Sequence, residues 1–300
     1  MGTIIEATAT ADRGSLGALG LADAAARSCL ARAKRTAGEV DLLINAGVYN
    51  DKGISEPAVA SLIQEDIGAN PEQQPGAGQG TFSFDVRNGG CGLLSGIQLV
   101  DGLLASGTVK LGLVVASDID PDPGVSDGYG FPAVGGAVLL SADDSRAGFT
   151  AFRSATFPQF AGLFGSSVAW QDDTRAAQRD HGPGNHGRNV LTVEMDESYA
   201  DRALQCAEST LRAAAADGVL DLGEVDLLVA TASVPGFAAA LAQRLGTSDV
   251  RVASPSGALA GAHTAAPAVA LESVRLEAGR TALFVCVGAG ITVVVALYRG

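Results

Sequence analysis

Short apolar runs alternate along this chain with Ala-rich stretches whose apolar residues recur at helical spacing. Ile4 to Thr10 predicts a first strand, and Leu21 to Lys34 a helix. Asp41 to Ala46 is a short apolar strand running into a loop with Gly47, Asn50, Asp51 and Gly53, and Pro57 to Gly68 returns as a helix closed by glycine. Asn70 to Gly80, rich in Gln, Pro and Gly, reads as a loop. Phe84 to Gly96, followed by Ile97 to Ser106 and Leu111 to Asp118, then reads as a strand, a Gly-crowded turn, a helix and a second strand. A Gly/Asp/Pro loop from Pro121 to Pro132 precedes the strand Gly135 to Ser141. Strands alternating with helices predict a mainly parallel sheet covered on both faces.

The second half repeats the first. Gly38 to Ile44 reappears, with Val for Ile at its end, as Gly223 to Val229, each after an Ala-rich helix. Each is followed by a Pro-initiated helix ending in Gly, Pro57 to Gly68 and Pro235 to Gly246. A small-residue turn into a helix comes next, Asn88 to Gly96 and Ser254 to Ala262, and apolar strands Gly135 to Ser141 and Thr292 to Arg299 close the halves. Two copies of one β/α unit predict a pseudo-twofold molecule whose equivalent turns face a shared site, Cys91 opposite Ser254 to His263. The chain divides accordingly into an N-terminal half over 1–150, an irregular connector or lid over 151–187 and a C-terminal half over 188–300. From Thr150 to Arg188 the aromatic residues Phe152, Phe157, Phe160, Phe164 and Trp170 follow no steady period, reading as a lid, a pocket wall or a subunit contact.

A chain of 300 residues with 47% hydrophobic content can bury a large core. No run of eighteen apolar residues and no basic-then-apolar N-terminus occurs, so neither a membrane span nor a signal peptide is expected. Four cysteines without paired spacing fit reduced thiols in a cytoplasm. The net charge of −13 argues against nucleic acid or an anionic membrane as partner. An acidic carrier protein would need a local basic patch, for which Arg27, Arg32, Lys34 and Arg35, or Arg87 with Lys110, are the candidates.

Chemistry concentrates at Cys91, placed where the Gly-crowded turn becomes a helix. Small neighbours let a ligand approach the sulfur, and unpaired N–H groups with the helix dipole favour a thiolate there. Cys29 and Cys206, in Ala-rich helical runs, read as core residues. His263 lies among small residues and is the one His outside the irregular segment, which makes it a candidate base for the Cys91 thiol. Leu283 to Ile291 is an apolar strand entering a Gly-rich turn. Backbone N–H groups at Gly288 and Cys91 could converge there on a thioester oxygen, with Cys286 as a second thiol acid/base. His181 and His186 invite a metal reading but lack a nearby thiolate or a carboxylate on a regular element, so a surface turn is expected and no metal site.

The run from Phe84 to Asp118, with its Cys at a strand-helix turn, resembles the ketoacyl-ACP synthase III branch of the thiolase superfamily, and the repeat and Gly-rich C-terminal turn extend the similarity over nearly the whole chain. The resemblance implies an α/β thiolase fold, a five-layered αβαβα core of two pseudo-twofold-related halves, usually in a homodimer. It also implies an acyl group carried on Cys91 and a coenzyme A or phosphopantetheine thioester as substrate, from acyl-CoA or an acyl carrier protein, with no permanently bound cofactor. Synthases of this branch have a His-Gln-Ala-Asn-type stretch after the second half's first strand; here Val229-Ala230-Thr231-Ala232-Ser233 puts Thr231 in place of the His. In Gly261-Ala262-His263-Thr264, His263 stands where that branch has Asn. Thiolases carry a His in this second place and a Cys-x-Gly-x-Gly turn, which Cys286 to Gly290 fits. Against that branch, the N-terminal segment with which the synthases grip the CoA nucleotide is expected to be shortened here.

These features predict a cytoplasmic acyltransferase that loads an acyl group on Cys91 and passes it to a second nucleophile. The alternatives are a decarboxylating or thiolase-type carbon-carbon condensing enzyme, a thioesterase, or a catalytically impaired thiolase-fold partner subunit lacking the His at Thr231.

Overall fold

The structure is a computed structural model that describes residues 2–12, 16–70, 80–145, 147–172, 187–223, 225–231, 233–246 and 250–300. The first half runs β1 (Gly2–Ala11), α1 (Ala18–Ala33), β2 (Leu42–Asn45), α2 (Val59–Ile67), β3 (Phe82–Asp85), α3 (Gly92–Ala105), β4 (Leu111–Asp118), β5 (Val134–Asp143). The second opens with β6 (Gly148–Thr156), followed by a hairpin of β7 (Phe164–Asp172) and β8 (Gly187–Met195). It continues through α4 (Tyr199–Ala216), β9 (Leu227–Ala230), α5 (Phe237–Arg244), β10 (Arg251–Ala253), α6 (Ala266–Glu272), β11 (Thr281–Gly288) and β12 (Thr292–Arg299).

The strand order is β3-β2-β4-β5-β1 in one half and β10-β9-β11-β12-β6 in the other. The two sets meet edge to edge through one register pair, Thr3 with Phe149. Gly38 to Ile44 and its repeat lead into the equivalent strands β2 and β9. The expected mainly parallel sheet is corrected to a mixed one. In each half the first three strands of that order pair in parallel, and the remaining two pairings are antiparallel. The reason is the connection: a loop without a helix joins β4 to β5, and parallel pairing needs a crossover.

Alternation along the strands builds the layers. Leu43, Leu113, Val115 and Leu139 point outward onto α1 and α2. Ile44, Val114 and Val138 point inward onto α3 and α6, and so do Val229, Phe284 and Val294 of the second sheet. Leu228, Val285, Val293 and Val295 face α4 and α5 on the far side. The sequence helix-sheet-helix-sheet-helix is the expected αβαβα. Pro57 lies outside α2, whose last turn is closed by Gly68 in the left-handed region (φ 78°). The stretch expected to be irregular holds two strands, β6 and β7. His181 and His186 fall outside the described residues.

On the outer layer, Asp23 of α1 faces Asp66 of α2. Burial, then the Asp66 charge, pushes the Asp23 carboxyl up from 3.8 to about 7. The folded state therefore holds a proton that the unfolded state has released, and stability should fall as pH rises from about 4 to about 7. Denaturant midpoints measured at pH 5 and pH 8 should differ less in Asp23→Asn than in the wild type; an equal difference would show that Asp23 is not the source.

Candidate active site

The turn that carries Cys91 is fastened at both ends. Val86 N–H donates to the Asn45 carbonyl at 2.8 Å, prolonging the β2–β3 pairing. The Asn88 side chain donates to Ser95 Oγ at 2.9 Å, tying the turn to α3. Cys91 is the N-cap residue of α3 and is fully buried. A Cβ built on Gly90 would lie 2.7 Å from the Val287 carbonyl oxygen and 3.9 Å from His263 Cδ2, so only glycine lets the turn settle between β11 and the imidazole. A Cβ on Gly288 would lie 3.4 Å from the Asn88 carbonyl oxygen and 3.6 Å from Cys91 Sγ, so β11 packs directly against the turn and its sulfur.

The expected thiolate is corrected. Burial, reinforced by the neighbouring Cys286, pushes the Cys91 thiol well above its usual range despite a backbone hydrogen bond at Val294. The helix terminus does not outweigh the loss of water, and the thiol donates to the Thr292 carbonyl at 3.4 Å. The Cys91 N–H, expected to face a thioester oxygen, donates instead to the Asn88 carbonyl at 3.0 Å. Cys286, at the inner face of β11, is pushed up to about 12 by burial, while the Thr231 hydroxyl beside it works the other way. Thr231 Oγ1 also accepts from the Val287 N–H at 3.0 Å, so this hydroxyl braces β9 against β11.

His263 is 2% exposed and joins a partner that the sequence did not single out, Asp118 at the end of β4. Its Nδ1 lies 3.3 Å from Asp118 Oδ2, an oxygen that also accepts from the Thr264 N–H and hydroxyl. Asp118 Oδ1 accepts from the Val48 and Tyr49 N–H groups at 3.0 and 2.9 Å. Burial would raise this carboxyl, yet His263, the Thr264 hydroxyl and the Tyr49 amide hold it down at about 2. With Nδ1 on Asp118, the second ring nitrogen, Nε2, is buried without a hydrogen-bond partner among the described residues. Phe131 stacks on the imidazole at 4.6 Å, and Tyr49 leans on it at 5.4 Å. A carboxylate at the end of an otherwise apolar strand was the available signal for Asp118, because a buried Asp requires partners.

Two cavities flank this aromatic layer. One, of about 840 Å³, runs past Phe131, Thr231, Ser233, Ala260 and Gly261, and no ionisable side chain lines it among the described residues. The other, of about 650 Å³, ends inward at Tyr49. A third, of about 630 Å³, lies at the starts of β9, β10 and β11, at the opposite end of the sheet from Thr231 and His263. Two of the four cations in and just after α1 are already engaged in ion pairs: Arg32 with Glu272, and Arg35 with Glu6 and Glu39. Among the described residues there is no cluster of three metal-ligating side chains, and no helix is long and apolar enough to cross a membrane.

No family model matches the chain. Over 98 residues it is 33% identical to the β-ketoacyl-[acyl-carrier-protein] synthase III of Rhodospirillum rubrum, and equally to that of Caulobacter vibrioides. That match takes in 33% of this chain and 27% of each relative, so it spans about a quarter of the relatives' length. The fold is similar over 100% of both chains to 3-oxoacyl-[acyl-carrier-protein] synthase III from Aquifex aeolicus, with a TM-score of 0.76 at 18% identity. Xanthomonas campestris OleA, solved with bound lauric acid and lauroyl-CoA, matches over 100% of this chain and 99% of its own with a TM-score of 0.77 at 16% identity. The chain thus has the fold of the synthase III and OleA structures, and a third of it is similar in sequence to synthase III.

Proposed function

We propose that the chain is an acyltransferase of the synthase III type, working through an acyl-Cys91 intermediate. The observation that carries this reading is the buried base: Asp118 holds His263 Nδ1, which leaves Nε2 unpartnered in the neighbourhood of Gly90 and Cys91. Cys91 Sγ attacks the carbonyl carbon of an acyl thioester while its proton passes to Nε2. The donor's C–S bond breaks, and the leaving thiolate takes that proton. An incoming nucleophile then gives its proton to Nε2 and takes the acyl group, and the Cys91 thiolate is reprotonated. A thiol kept protonated by burial suits this sequence, since the proton leaves only when the base and substrate are in place. The neutral cavity beside Phe131 and Thr231 matches the uncharged amide arm of a pantetheine thioester, whether CoA or a carrier protein delivers it.

Transfer without decarboxylation is the reaction favoured here. Releasing CO₂ from a malonyl thioester needs charge-stabilising donors on the developing enolate, whereas Thr231 offers one neutral hydroxyl, which brings no positive charge and sits beside the Cys286 sulfur. Labelled malonyl-CoA supplied with an acyl-CoA primer should release little labelled CO₂ relative to the rate of Cys91 acylation. Comparable rates, with a ketoacyl product, would establish the condensing reading instead.

A further inference from the structure

The 650 Å³ cavity that ends at Tyr49 differs in charge from the rest of this acidic chain. Lys52, Arg87 and Arg188 line it against a single carboxylate, Asp122. Asp122 pairs with Arg188 at 3.8 Å, whereas Lys52 and Arg87 have no ion-pair partner among the described residues. Arg87 begins the turn that delivers Cys91, and the Tyr49 ring lies 5.4 Å from that of His263. The inner wall also holds Asn50, 5% exposed, whose Oδ1 is buried without a partner. The cleft therefore lies one aromatic ring away from His263, stands apart from the neutral route beside Phe131, and keeps two cations without ion-pair partners among the described residues in a protein of net charge −13.

We infer that this cleft binds a carboxylate carried by a substrate, with Arg87 as its principal contact and Lys52 and Arg188 beside it. Guanidinium groups take carboxylates in paired, charge-assisted hydrogen bonds, and a carboxylate so held by Arg87, at the start of the turn that carries Cys91, distinguishes an acidic substrate from a neutral one of equal length. The carboxylate could be the far end of a dicarboxylic acyl group or belong to the acyl acceptor. In the first case the inference rests on the acyl-Cys91 reading; in the second it stands on the cleft alone.

Two measurements decide it. In the first, Cys91 acylation by succinyl-CoA is compared with that by butyryl-CoA, which has the same chain length and no terminal charge. A distal carboxylate site predicts at least ~10-fold preference for succinyl-CoA, with the ratio falling to near one in Arg87→Gln. In the second, Arg87 is modified with phenylglyoxal and mapped by peptide mass, with free succinate or succinamide present. Protection by millimolar succinate and not by succinamide identifies a site for a free acidic substrate. A wild-type ratio near one together with no protection overturns the inference and leaves acyl transfer untouched. Failure of both thioesters to acylate Cys91, with protection intact, overturns the acyl-transfer reading and supports the carboxylate site.

Discussion

Cys91→Ala should take up no acyl group from any thioester that acylates the wild type. Each described cysteine is buried, so burial alone does not select the nucleophile. Cys29 donates to the Ala7 carbonyl at 3.3 Å and is pushed up to about 12 by burial, on the outer face. Cys286 stands at a similar value with its neighbour Thr231 already engaged. Cys91 alone combines a helix N-terminus with a neighbouring glycine, Gly90, that lies against the ring of His263, whose Nε2 has no partner among the described residues. Intact-protein mass spectrometry after incubation with acetyl-, butyryl- and longer acyl-CoAs should show one added acyl mass in the wild type and none in the variant. A near-wild-type melting temperature would show that the variant's fold is intact. Acylation that persists in Cys91→Ala, or a wild type inert to every thioester offered, would remove Cys91 from the mechanism.

The repeat is legible in the sequence because each unit keeps its own apolar runs and glycine stops, and the layers follow once the two halves are equated. Strand direction is not legible in the same way: the β4–β5 loop carries no helix, and only that absence signals the antiparallel turn. The β7–β8 hairpin was hidden because its pattern does not alternate cleanly; Val168 and Trp170 are 64% and 49% exposed, so no continuous face was selected for burial. Cys91 and His263 stand out from local context, each beside the small residues that a close approach demands. Their energetics do not, because desolvation comes from β11, β12 and α4 closing over the turn, which the neighbouring residues do not encode. Asp118 and His263 are 145 residues apart, and nothing local to either one names the other.

That pair carries the second large effect expected. His263→Ala should slow alkylation of Cys91 by iodoacetamide near neutral pH by roughly 10²–10⁴-fold, the contribution of a positioned general base. With the thiol held well above its usual range, the variant's residual rate should climb steeply with pH, as hydroxide replaces the lost base. Asp118→Asn should also slow alkylation, for a different reason. A carboxylate accepts the Nδ1 proton and leaves the Nε2 lone pair for the thiol, whereas an amide can donate to Nδ1 and reverse the tautomer. Asp118→Asn should be less stable too, since one amide oxygen cannot replace two oxygens accepting from Val48, Tyr49, His263 and Thr264. Because the folded-state carboxyl sits at about 2 against 3.8 when free, its contribution is present above about pH 4 and is lost as pH falls toward 2. Acid unfolding of Asp118→Asn should accordingly lack that segment of the wild-type curve. If both variants alkylated at the wild-type rate, His263 would be a packing residue and the base would have to be sought elsewhere.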